Sequence, residues 1–596
     1  MAFLFWGVRS TPQTPRTVPD CYHELMKLSR LGAVSAGLIV GSTLAGGLVG
    51  GRALAGGGRL SDELRLYTAL LSAVEQEYVD EVPSDRLVSA SIREMLRTLD
   101  PHSNFFEQRD YQQMQERQKG QYYGLGITVQ SIDGNITVVA PFEGTPAHRL
   151  GIRAGDVISR IEGEDARGMS IDDAVKRLRG AKGTPVHITI VRSGYEEPLE
   201  FTVIRDAIAL HSVPYSFMAS RTVGYVRLTD FNETTACRPG EESCERELEK
   251  ALRDLGKTGA KAFILDIRDN PGGLLDQAFA VSNLFLEKGQ LVVFTRGRTR
   301  RDESNYITEE ESPWVHVPLV VLTSRHSASA SEIVAGALQD HDRALIAGET
   351  TFGKGLVQTI MPLRNMRGYA LALTTARYYT PSGRSIQRDY AKTALEEYYA
   401  PRDRKACDEG SGEMKLTDAG RRVYGGDGIT PDYCVLPETP SKFVSYLIAR
   451  QAFAGFARGF EAAEIQGQAE IAGTGSRSRV ASAKVRVVSR EFRADEAVLA
   501  QFREYLAGRK LRHTPENLEQ NREAILRQIE EEVLRQVFGE GEARRRSLAW
   551  DPQVRKALDL VPRAELLLRD PKGYVAAREH DGRVAEAVSG PAAPRP

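Results

Sequence analysis

Three serines lie close together in a predicted turn between a buried strand and an apolar helix. The strand covers residues 319–322, the helix covers residues 333–338, and between them stand Ser327, Ser329 and Ser331. Such a turn places a side chain and backbone N–H groups at the positive N-terminus of the helix. This setting suits a nucleophilic serine whose attack generates an oxyanion, whereas serine is also a common helix N-cap residue. The turn by itself leaves both interpretations open.

The following loop carries a lysine between two glycines, Gly353-Lys354-Gly355. Glycines on both sides let the backbone turn sharply and approach other segments closely. The GxxxxGK[ST] spacing of a phosphate-binding loop is absent from this segment. A lysine can act as a general base near neutral pH only where burial lowers the pKa of its amine. Phe352 and Leu356 are apolar neighbours that can bury it, and an exposed loop lysine is the alternative interpretation.

Together these two segments resemble the carboxy-terminal processing peptidases, the tail-specific family of serine peptidases. Lys354 follows Ser329 by 25 positions and Gln358 follows Lys354 by four, which is similar to the family's spacing of nucleophile, base and base-holding glutamine. The resemblance extends over most of the chain through further motifs at residues 100–103, 124–127, 265–273, 379–383 and 428–432. It implies a serine endopeptidase with a Ser-Lys dyad.

The resemblance assigns roles to residues whose chemistry is already suitable. Ser329 is expected to attack the scissile carbonyl, and neutral Lys354 is expected to take its proton and later protonate the leaving amine. Gln358 is expected to orient the lysine. The backbone N–H groups of Gly273 and Ala330 are expected to form the oxyanion hole. Only the family resemblance selects Ser329 from the three serines of the turn.

A serine–histidine pair is the alternative form of catalysis, and two histidines lie near the turn in sequence. His326 stands three residues before Ser329 in the same tight segment, where its ring has little room to reach the hydroxyl with good geometry. His341 lies beyond the predicted helix. The Gly-x-Ser-x-Gly pattern of a nucleophile elbow is also absent around Ser329. These observations favour the lysine as the base.

Residues 122–208 show short alternating strands and one amphipathic helix, a pattern that resembles a PDZ domain. Leu125, Gly126 and Ile127 open a predicted strand and resemble the loop whose N–H groups bind a peptide's C-terminal carboxylate. The peptide is then expected to add as a strand beside this segment, against the helix at residues 171–178. Mainly apolar groups are expected to line the pocket, which predicts protein substrates with exposed apolar C-termini. A plain strand-opening turn is the alternative.

The length of 596 residues predicts a multidomain protein, and short buried strands flanked by helices predict an α/β sheet covered on both faces. The family resemblance implies a crotonase-like α/β peptidase core with an inserted PDZ domain.

Basic residues (79) nearly balance acidic ones (80), so no global field indicates a nucleic-acid partner. The predicted divisions are a signal peptide or membrane anchor (1–58), a helical N-terminal region (59–118), the PDZ domain (119–208), the peptidase core (209–450), a helical C-terminal region (451–580) and a disordered tail (581–596).

The start of the chain indicates export. Residues 31–51 contain no charged side chain, and they are preceded by Arg9, Arg16, Lys27 and Arg30. A positive flank before an apolar segment predicts translocation of the chain that follows. A cleaved signal peptide and an uncleaved inner-membrane anchor both agree with this pattern, and the periplasm is the expected compartment.

Four of the five cysteines follow this segment, namely Cys237, Cys244, Cys407 and Cys434. Exported proteins can form disulfides, and four cysteines allow three pairings, of which joining the nearest neighbours in sequence is the simplest. Because the chain has no CxxC pair or histidine cluster, no metal site is predicted and no cofactor is expected.

Two other functional classes stay open at this point. One is a catalytically idle relative that uses its PDZ domain and helices as a scaffold, against which the intact Ser329, Lys354 and Gln358 argue. The other is a crotonase-type acyl-CoA enzyme, against which the export signal and the PDZ insertion argue. The sequence also leaves open whether an adaptor or activator protein is needed and whether the chain forms a homo-oligomer.

Overall fold

The computed structural model describes residues 58–132, 134–192, 195–241, 244–391, 395–399, 407, 412–462 and 486–578. The predicted apolar export segment and the predicted disordered tail lie outside the described residues. Among the helices of the described ranges, none combines the length and the apolar character needed to cross a bilayer. The described residues divide into two compact units, one that ends at Met95 and one that begins at Leu96.

The helices are, in chain order, α1 Gly58–Glu77, α2 Ser84–Arg97, α3 Gln108–Gln118, α4 Pro146–Arg149, α5 Ile171–Leu178, α6 Glu247–Lys257, α7 Leu275–Asn283, α8 Ala330–Asp340, α9 Leu395–Tyr399, α10 Lys442–Ala449, α11 Ala452–Ala457, α12 Glu496–Gly508, α13 Pro515–Gln520, α14 Arg522–Phe538, α15 Glu540–Ser547 and α16 Pro552–Arg569. A short 3-10 helix covers Arg300–Asp302.

The strands are, in chain order, β1 Asn104–Phe106, β2 Gln121–Gly124, β3 Ile127–Ile132, β4 Asn135–Pro141, β5 Val157–Ile161, β6 Glu164–Asp165, β7 Pro185–Val191, β8 Leu199–Ile204, β9 Asp206–Ala209, β10 Tyr215–Met218, β11 Val223–Arg227, β12 Ala262–Asp266, β13 Leu291–Gly297, β14 Ser304–Ile307, β15 Leu319–Thr323, β16 Leu345–Gly348, β17 Leu356–Pro362, β18 Ala370–Tyr379, β19 Met414–Leu416, β20 Arg422–Tyr424, β21 Tyr433–Cys434, β22 Phe460–Ala462 and β23 Arg486–Val488.

The predicted PDZ domain is an antiparallel sheet with short helices beside it. Its strand order is β3-β4-β5-β7-β8, with β6 paired to β5, and α5 begins and ends at the predicted residues, Ile171 and Leu178. Side chains alternate between the two faces of a strand, and one apolar face forms a core with α5. The core residues include Leu125, Ile136, Val138, Ile158, Ile161, Ala174, Leu178, Val186, Ile188, Ile190 and Val203. β2 and β9 pair with each other where the chain enters and leaves this domain.

A six-stranded sheet positions the serine turn. Its order is β10-β11-β12-β15-β16-β21; β10 runs antiparallel to β11 and the remaining pairs are parallel. β12 and β15 are buried at every position, as expected for strands whose two faces are both covered. Helices α6, α7 and α8 cover one face of this sheet.

The other face of the six-stranded sheet is covered by α16, which comes from the C-terminal region. Its buried side chains pack against β12, β15 and β16; they are Val554, Ala557, Leu560, Ala564 and Leu567. The prediction of an α/β sheet covered on both faces is therefore confirmed. Helices α10 to α14 surround a separate apolar core, so the C-terminal region contributes to two different cores.

The lysine loop leads into β17, which belongs to a second sheet. Its order is β1-β18-β13-β14, and β17 also pairs with β18. The predicted helical region before the PDZ domain thus contains a strand, since β1 pairs with β18 from Asn104 opposite Ala372. This partner is distant in sequence, and strand formation depends on such tertiary neighbours more than on local propensity.

Two disulfides join the cysteines that are nearest in sequence, Cys237 to Cys244 and Cys407 to Cys434. The simplest of the three pairings is thus confirmed. The first disulfide lies in the connection between β11 and α6, and the second reaches the edge strand β21 of the six-stranded sheet.

Replacing Leu560 by alanine is expected to destabilise the protein by about 2–5 kcal/mol, because it removes burial against the sheet and leaves a cavity. The Leu560 side chain is 1% exposed. Leu566, 37% exposed on the same helix, provides the control, and Leu566→Ala is expected to cost about 1 kcal/mol or less. Urea unfolding of both variants measures the difference. Equal losses would contradict the packing of α16 on the sheet.

Candidate active site

The serine turn joins the end of β15 to the start of α8, and Ser329 is the N-cap residue of that helix. Its backbone adopts φ 56° and ψ −113°, a conformation that residues with a β-carbon rarely take. Strain of this kind persists only where surrounding contacts impose it, and it is common at active sites. The Ser329 side chain is half-buried. The turn therefore presents this serine at the N-terminus of α8.

The other two serines of the turn have structural hydrogen bonds. Ser327 is fully buried and its hydroxyl donates to the carbonyl of Ile267 (2.8 Å). Ser331 is also fully buried and its hydroxyl donates to the carbonyl of Asn270 (2.9 Å). Both hydroxyls bind the turn to the segment after β12. The geometry thus separates Ser329 from its two neighbours, which the residue types alone did not do.

Asn270 connects the serine turn with the glycine turn that follows β12. Its carbonyl accepts from the Ala328 N–H (3.0 Å), and its side-chain oxygen accepts from the Gly272 N–H (2.9 Å). The side-chain amide donates to the carbonyl of Leu228 (3.1 Å). One fully buried asparagine therefore fixes both turns relative to β11. Asn270 lies within the sequence motif at residues 265–273, and its function as a connector follows only from these contacts.

The glycine turn approaches the serine turn more closely than a side chain allows. A β-carbon at Gly272 would lie 2.8 Å from the Ala330 nitrogen and 2.9 Å from the Ser329 β-carbon, and one at Gly273 would lie 2.3 Å from the Phe231 carbonyl oxygen. Within the described residues, the N–H groups of Gly273 and Ala330 have no hydrogen-bond acceptor. The structure places both predicted donors at this contact, and their function as an oxyanion hole stays a prediction.

Lys354 lies in the loop between β16 and β17, and its neighbour Gly353 takes φ 90° where the chain packs against Arg388 and Gly428. Burial lowers the pKa of the Lys354 amine, and the negative charges of Glu332 and Asp100 oppose that shift without cancelling it. The amine therefore loses its proton more easily than a lysine in water. This is the property that a lysine base needs.

A buried glutamate joins the serine turn to the lysine loop. One oxygen of Glu332 accepts from the backbone N–H of Ser329 (2.8 Å) and of Lys354 (2.9 Å). The other accepts from the Gly353 N–H (2.7 Å) and the Thr351 hydroxyl (2.6 Å). The residue is 0% exposed. The two proposed catalytic residues thus meet on one carboxyl group.

Sequence reasoning missed Glu332, although a signal for it was present. A glutamate three residues after a serine N-cap forms the S-x-x-E pattern of a capping box, and Ser329 and Glu332 have that spacing. Burial raises the pKa of Glu332 to about 7, and hydrogen bonds from Thr351, Lys354, Gly353 and Ser329 oppose the rise. The pattern predicts a helix cap, and only the structure shows that the same carboxyl also binds the lysine loop.

Tyr378 of β18 makes a second connection between the same two segments. Its hydroxyl lies 3.1 Å from the carbonyl oxygen of Ser329 and in hydrogen-bond contact with the carbonyl oxygen of Lys354. Burial raises the pKa of this phenol well above its usual range, so it keeps the proton that it donates. Tyr378 therefore holds the carbonyl side of the two segments, while Glu332 holds their N–H groups.

Gln358 lies on β17 at an irregularity in its pairing with β18. Its side-chain amide donates to the hydroxyl of Thr374 (3.3 Å). The Thr374 N–H in turn donates to the hydroxyl of Ser103 (3.2 Å). The predicted orientation of Lys354 by Gln358 stays a prediction, because the hydrogen bond that the structure gives this amide goes to Thr374.

The two histidines of the alternative dyad have other surroundings. The ring nitrogens of His341 lie 2.7 Å from a carboxylate oxygen of Asp418 and 2.7 Å from the carbonyl oxygen of Leu291. His326 is exposed. Because both nitrogens of His341 are already hydrogen-bonded, this geometry favours Lys354 over a histidine base.

The predicted carboxylate-binding loop lies at the start of β3, the edge strand of the PDZ sheet. Leu125 is buried in the domain core, and Ile127 begins the strand. Gly126 has φ 79°, and a β-carbon there would lie 2.3 Å from that of Thr145. The free edge of β3 runs beside α5, which is the geometry needed for strand addition. The binding roles of these three residues stay predictions.

Arg179 is a further residue that sequence reasoning did not identify. It follows α5, and its aliphatic stem lies 3.8 Å from where a β-carbon of Gly124 would stand. The guanidinium is 4.4 Å from the centre of the Tyr122 ring and 2.7 Å from a carboxylate oxygen of Glu116. A positive group is therefore held beside the strand that leads into the binding loop.

A metal site receives no support from the described part of the chain. The potential ligands that cluster there are Cys237, Glu241 and Cys244. The two cysteines form a disulfide, so their thiolates are not available to an ion.

The raised pKa of Glu332 predicts a pH-dependent stability. An acid whose pKa rises on folding, here from about 4.5 to about 7, binds its proton more tightly in the folded state, so stability is lost as pH rises through this window. The free energy of unfolding of the wild type relative to Glu332→Gln is expected to fall by about 3 kcal/mol between pH 4 and pH 8.

Denaturant unfolding at several pH values measures this difference. Glu197→Gln, at an exposed position, controls for the loss of a carboxyl group as such. If the free energy of unfolding of the wild type relative to Glu332→Gln rose with pH instead, the expectation would be wrong. The four hydrogen-bond donors would then stabilise the Glu332 carboxylate more than burial destabilises it.

Comparison of the sequence with known proteins identifies two families in this chain. Residues 222–393 match the model of peptidase family S41, and residues 112–191 match the PDZ domain. The chain is 40% identical over 359 residues to a carboxy-terminal-processing protease of Bartonella bacilliformis, covering 59% of this chain and 80% of that protein. It is 38% identical over 304 residues to a carboxyl-terminal-processing protease of Synechocystis sp., covering 50% of this chain and 68% of that protein.

Among solved structures, a photosystem II D1 C-terminal processing protease is 27% identical and covers 62% of this chain and 92% of its own length, with a TM-score of 0.31. The family follows from the sequence matches, which include both the serine turn and the lysine loop. The chain therefore belongs to peptidase family S41, among the carboxy-terminal processing proteases.

Proposed function

We propose that this protein is an exported serine endopeptidase that cleaves peptide bonds with Ser329 and Lys354 and selects protein substrates by their C-terminal tails through its PDZ domain. The observation that carries the proposal is the Glu332 carboxyl group, which accepts from the backbone N–H of both Ser329 and Lys354. A nucleophile and a base need a fixed separation, because misplacement of about 1 Å costs large factors in rate.

The proposed reaction uses these groups in sequence. The Ser329 hydroxyl attacks the scissile carbonyl while the uncharged Lys354 amine takes its proton. The N–H groups of Gly273 and Ala330 donate to the oxyanion that forms. The Lys354 ammonium then gives its proton to the leaving amine, and water releases the acyl group by the same steps in reverse. Glu332 and Asp100 favour the ammonium once it forms, while burial favours the amine before it forms.

The tail-binding part of the proposal rests on the geometry of the PDZ domain. Backbone N–H groups at Leu125, Gly126 and Ile127 are the proposed donors to the free carboxylate of the substrate. The remaining tail adds as a strand along β3, with alternate side chains toward α5. The proposed substrates are proteins with exposed apolar C-termini.

Export to the periplasm is the proposed location, with residues 31–51 serving either as a cleaved signal peptide or as an uncleaved inner-membrane anchor. Residues 31–51 supply an apolar segment behind a positive flank. The two disulfides support the proposal, because disulfides persist mainly in oxidising compartments.

The dyad is tested by comparing the full chain with Ser329→Ala and Lys354→Ala. Each change is expected to lower kcat for an unstructured protein with an apolar C-terminus by about 1,000-fold or more, because the two groups act as one unit. Ser282→Ala and Lys250→Ala are the controls, one a buried helix serine that donates to Ala278 and the other an exposed lysine beside Asp254.

Activity that survives Lys354→Ala would remove this lysine as the base. Absence of cleavage by the wild type, even with candidate partner proteins added, would favour the idle scaffold.

Gly126→Ala is expected to weaken tail binding at least about tenfold, equal to about 1.4 kcal/mol, because its β-carbon clashes with Thr145. Gly134 provides a matched control, since it has φ 76° and open space around its β-carbon position. Gly134→Ala is expected to cost some stability but to leave binding unchanged. Fluorescence anisotropy with a labelled peptide that ends in an apolar residue measures tail binding by both variants.

The same peptide with an amidated C-terminus is expected to bind more weakly to the wild type. If the free acid and the amide bound equally well, the predicted carboxylate recognition would be wrong.

A further inference from the structure

The turn at residues 100–103 lies beside the proposed catalytic lysine, where Asp100 contributes a negative charge to the surroundings of the amine. Asp100 and Ser103 are both buried. The Asp100 carboxylate accepts from the N–H groups of His102 and Ser103 (2.8 Å each) and from the Ser103 hydroxyl (2.7 Å). Ser103 also accepts from the Thr374 N–H (3.2 Å). The turn is therefore rigid and is attached to β18, and it holds the His102 backbone in place.

The His102 ring binds two neighbouring tyrosines of α9 at once. Its Nε2 lies 3.0 Å from the Tyr398 hydroxyl, and its Nδ1 lies 3.1 Å from the Tyr399 hydroxyl. Both tyrosine rings stand edge-on to the imidazole, at 5.5 and 6.0 Å between centres. The Tyr399 hydroxyl also donates to the carbonyl of Pro101 (2.8 Å). Since both ring nitrogens are in use, His102 is suited to hold the tyrosines and not to accept a proton from Ser329.

The two tyrosines connect to the lysine loop on both sides of Lys354. Phe352 contacts both rings, with 5.6 Å to the centre of Tyr398 and 6.1 Å to that of Tyr399. On the other side, Gln387 donates to the Tyr398 hydroxyl (3.3 Å) and accepts from the Gly355 N–H (2.8 Å). We call His102, Phe352, Tyr398 and Tyr399 the aromatic cluster.

We infer that His102 is a positioning residue of this active site, which holds the aromatic cluster beside Lys354 and thereby limits the hydration of its amine. The inference rests on the proposed role of Lys354 as the base. A lysine base has to be poorly hydrated in order to be uncharged near neutral pH, and the cluster supplies apolar rings next to the lysine loop. The tyrosine hydroxyls turn toward His102, so their polar ends have hydrogen bonds within the cluster.

The electrostatics around the lysine agree with this role. Burial lowers the pKa of His102 to about 4, with a further contribution from the positive charge of Lys354 and opposition from Asp100. His102 is therefore uncharged in the range where the enzyme would work, and its removal takes no positive charge away from Lys354. The other titratable or charged groups that face this region are Glu332 on α8, Tyr378 on β18, Tyr398 and Tyr399 on α9, Asp100 in the turn and Arg388 before α9.

His102→Ala tests the inference through the pH profile of the full chain. Loss of the ring releases the tyrosines, water reaches the Lys354 amine, and the pKa of that amine rises. The acid limb of kcat is then expected to move to higher pH by about one unit, so kcat at pH 7 falls about tenfold and recovers as pH rises. KM is expected to change little. His102→Gln, which keeps a donor and an acceptor for the tyrosines, is expected to shift the limb less.

His341→Ala is the matched control, since both ring nitrogens of His341 are also hydrogen-bonded but outside the active site. It is expected to leave the acid limb in place. A folded His102→Ala variant with an unmoved acid limb would overturn the inference. Loss of activity at every pH, to the level of Lys354→Ala, would also overturn it, because His102 would then be part of the chemistry itself.

A second readout does not need catalysis. In a Ser329→Ala background, the pH dependence of Lys354 acylation by acetic anhydride, followed by mass spectrometry, reports the pKa of the amine. Adding His102→Ala is expected to move the midpoint of this labelling to higher pH, and an unchanged midpoint would contradict the inference. If the wild type proved inactive while the labelling midpoint shifted, the proposed function would fail and the role of His102 in burying Lys354 would stand.

Discussion

The active site depends on a buried carboxyl group that receives hydrogen bonds from two segments of different sheets. The serine turn follows β15 of the six-stranded sheet, and the lysine loop leads into β17 of the second sheet. The two segments meet directly where the Phe352 N–H donates to the Ser327 carbonyl (3.0 Å), and a shared partner on both segments adds to this contact. Glu332 supplies that partner, and its four donors satisfy a polar group whose burial would otherwise be costly. Tyr378 completes the connection on the carbonyl side.

The requirement for an uncharged lysine places a second constraint on the same site. Burial favours the amine, whereas the charges of Glu332 and Asp100 favour the ammonium. The structure balances these effects by surrounding the lysine loop with aromatic rings and by satisfying Glu332 with neutral donors. A lysine in this position can take a proton from Ser329 and still release it to a leaving amine. The pKa of the base is therefore set by residues from several elements and not by its own loop.

Close backbone approach makes the rest of the site possible. Gly272 and Gly273 bring the turn after β12 against Ser329 and Ala330, where a β-carbon would collide with the backbone. Asn270 fixes that turn to β11 and to the serine turn. The strands behind these turns are buried on both faces, with α16 closing the side that α6, α7 and α8 leave uncovered. The donors to the proposed oxyanion are thus carried by turns that follow β12 and β15, two strands that are buried at every position.

Much of the architecture could be predicted from the sequence. The apolar patterns predicted short alternating strands in the PDZ domain and buried strands of an α/β sheet, although not its edge strands β10 and β21, and α5 begins and ends where the periodicity indicated. These patterns are local consequences of burying one face or two faces of an element. The strand β1 escaped prediction because its partner is distant in sequence. The packing of α16 on the six-stranded sheet was not predicted either, because an apolar stripe on a helix does not show which element it packs against.

The sequence by itself determined which residue types stand at the site, since the spacing of Ser329, Lys354 and Gln358 is a property of the chain. Apart from the family resemblance, the residue types could not distinguish Ser329 from Ser327 and Ser331, because that physical difference depends on which hydroxyls are already hydrogen-bonded. The roles of Glu332, Tyr378 and His102 were decided by the tertiary structure alone. Each acts by contacting segments that are remote along the chain, and hydrogen-bond partners and burial, unlike periodicity, exist only once those segments have been brought together.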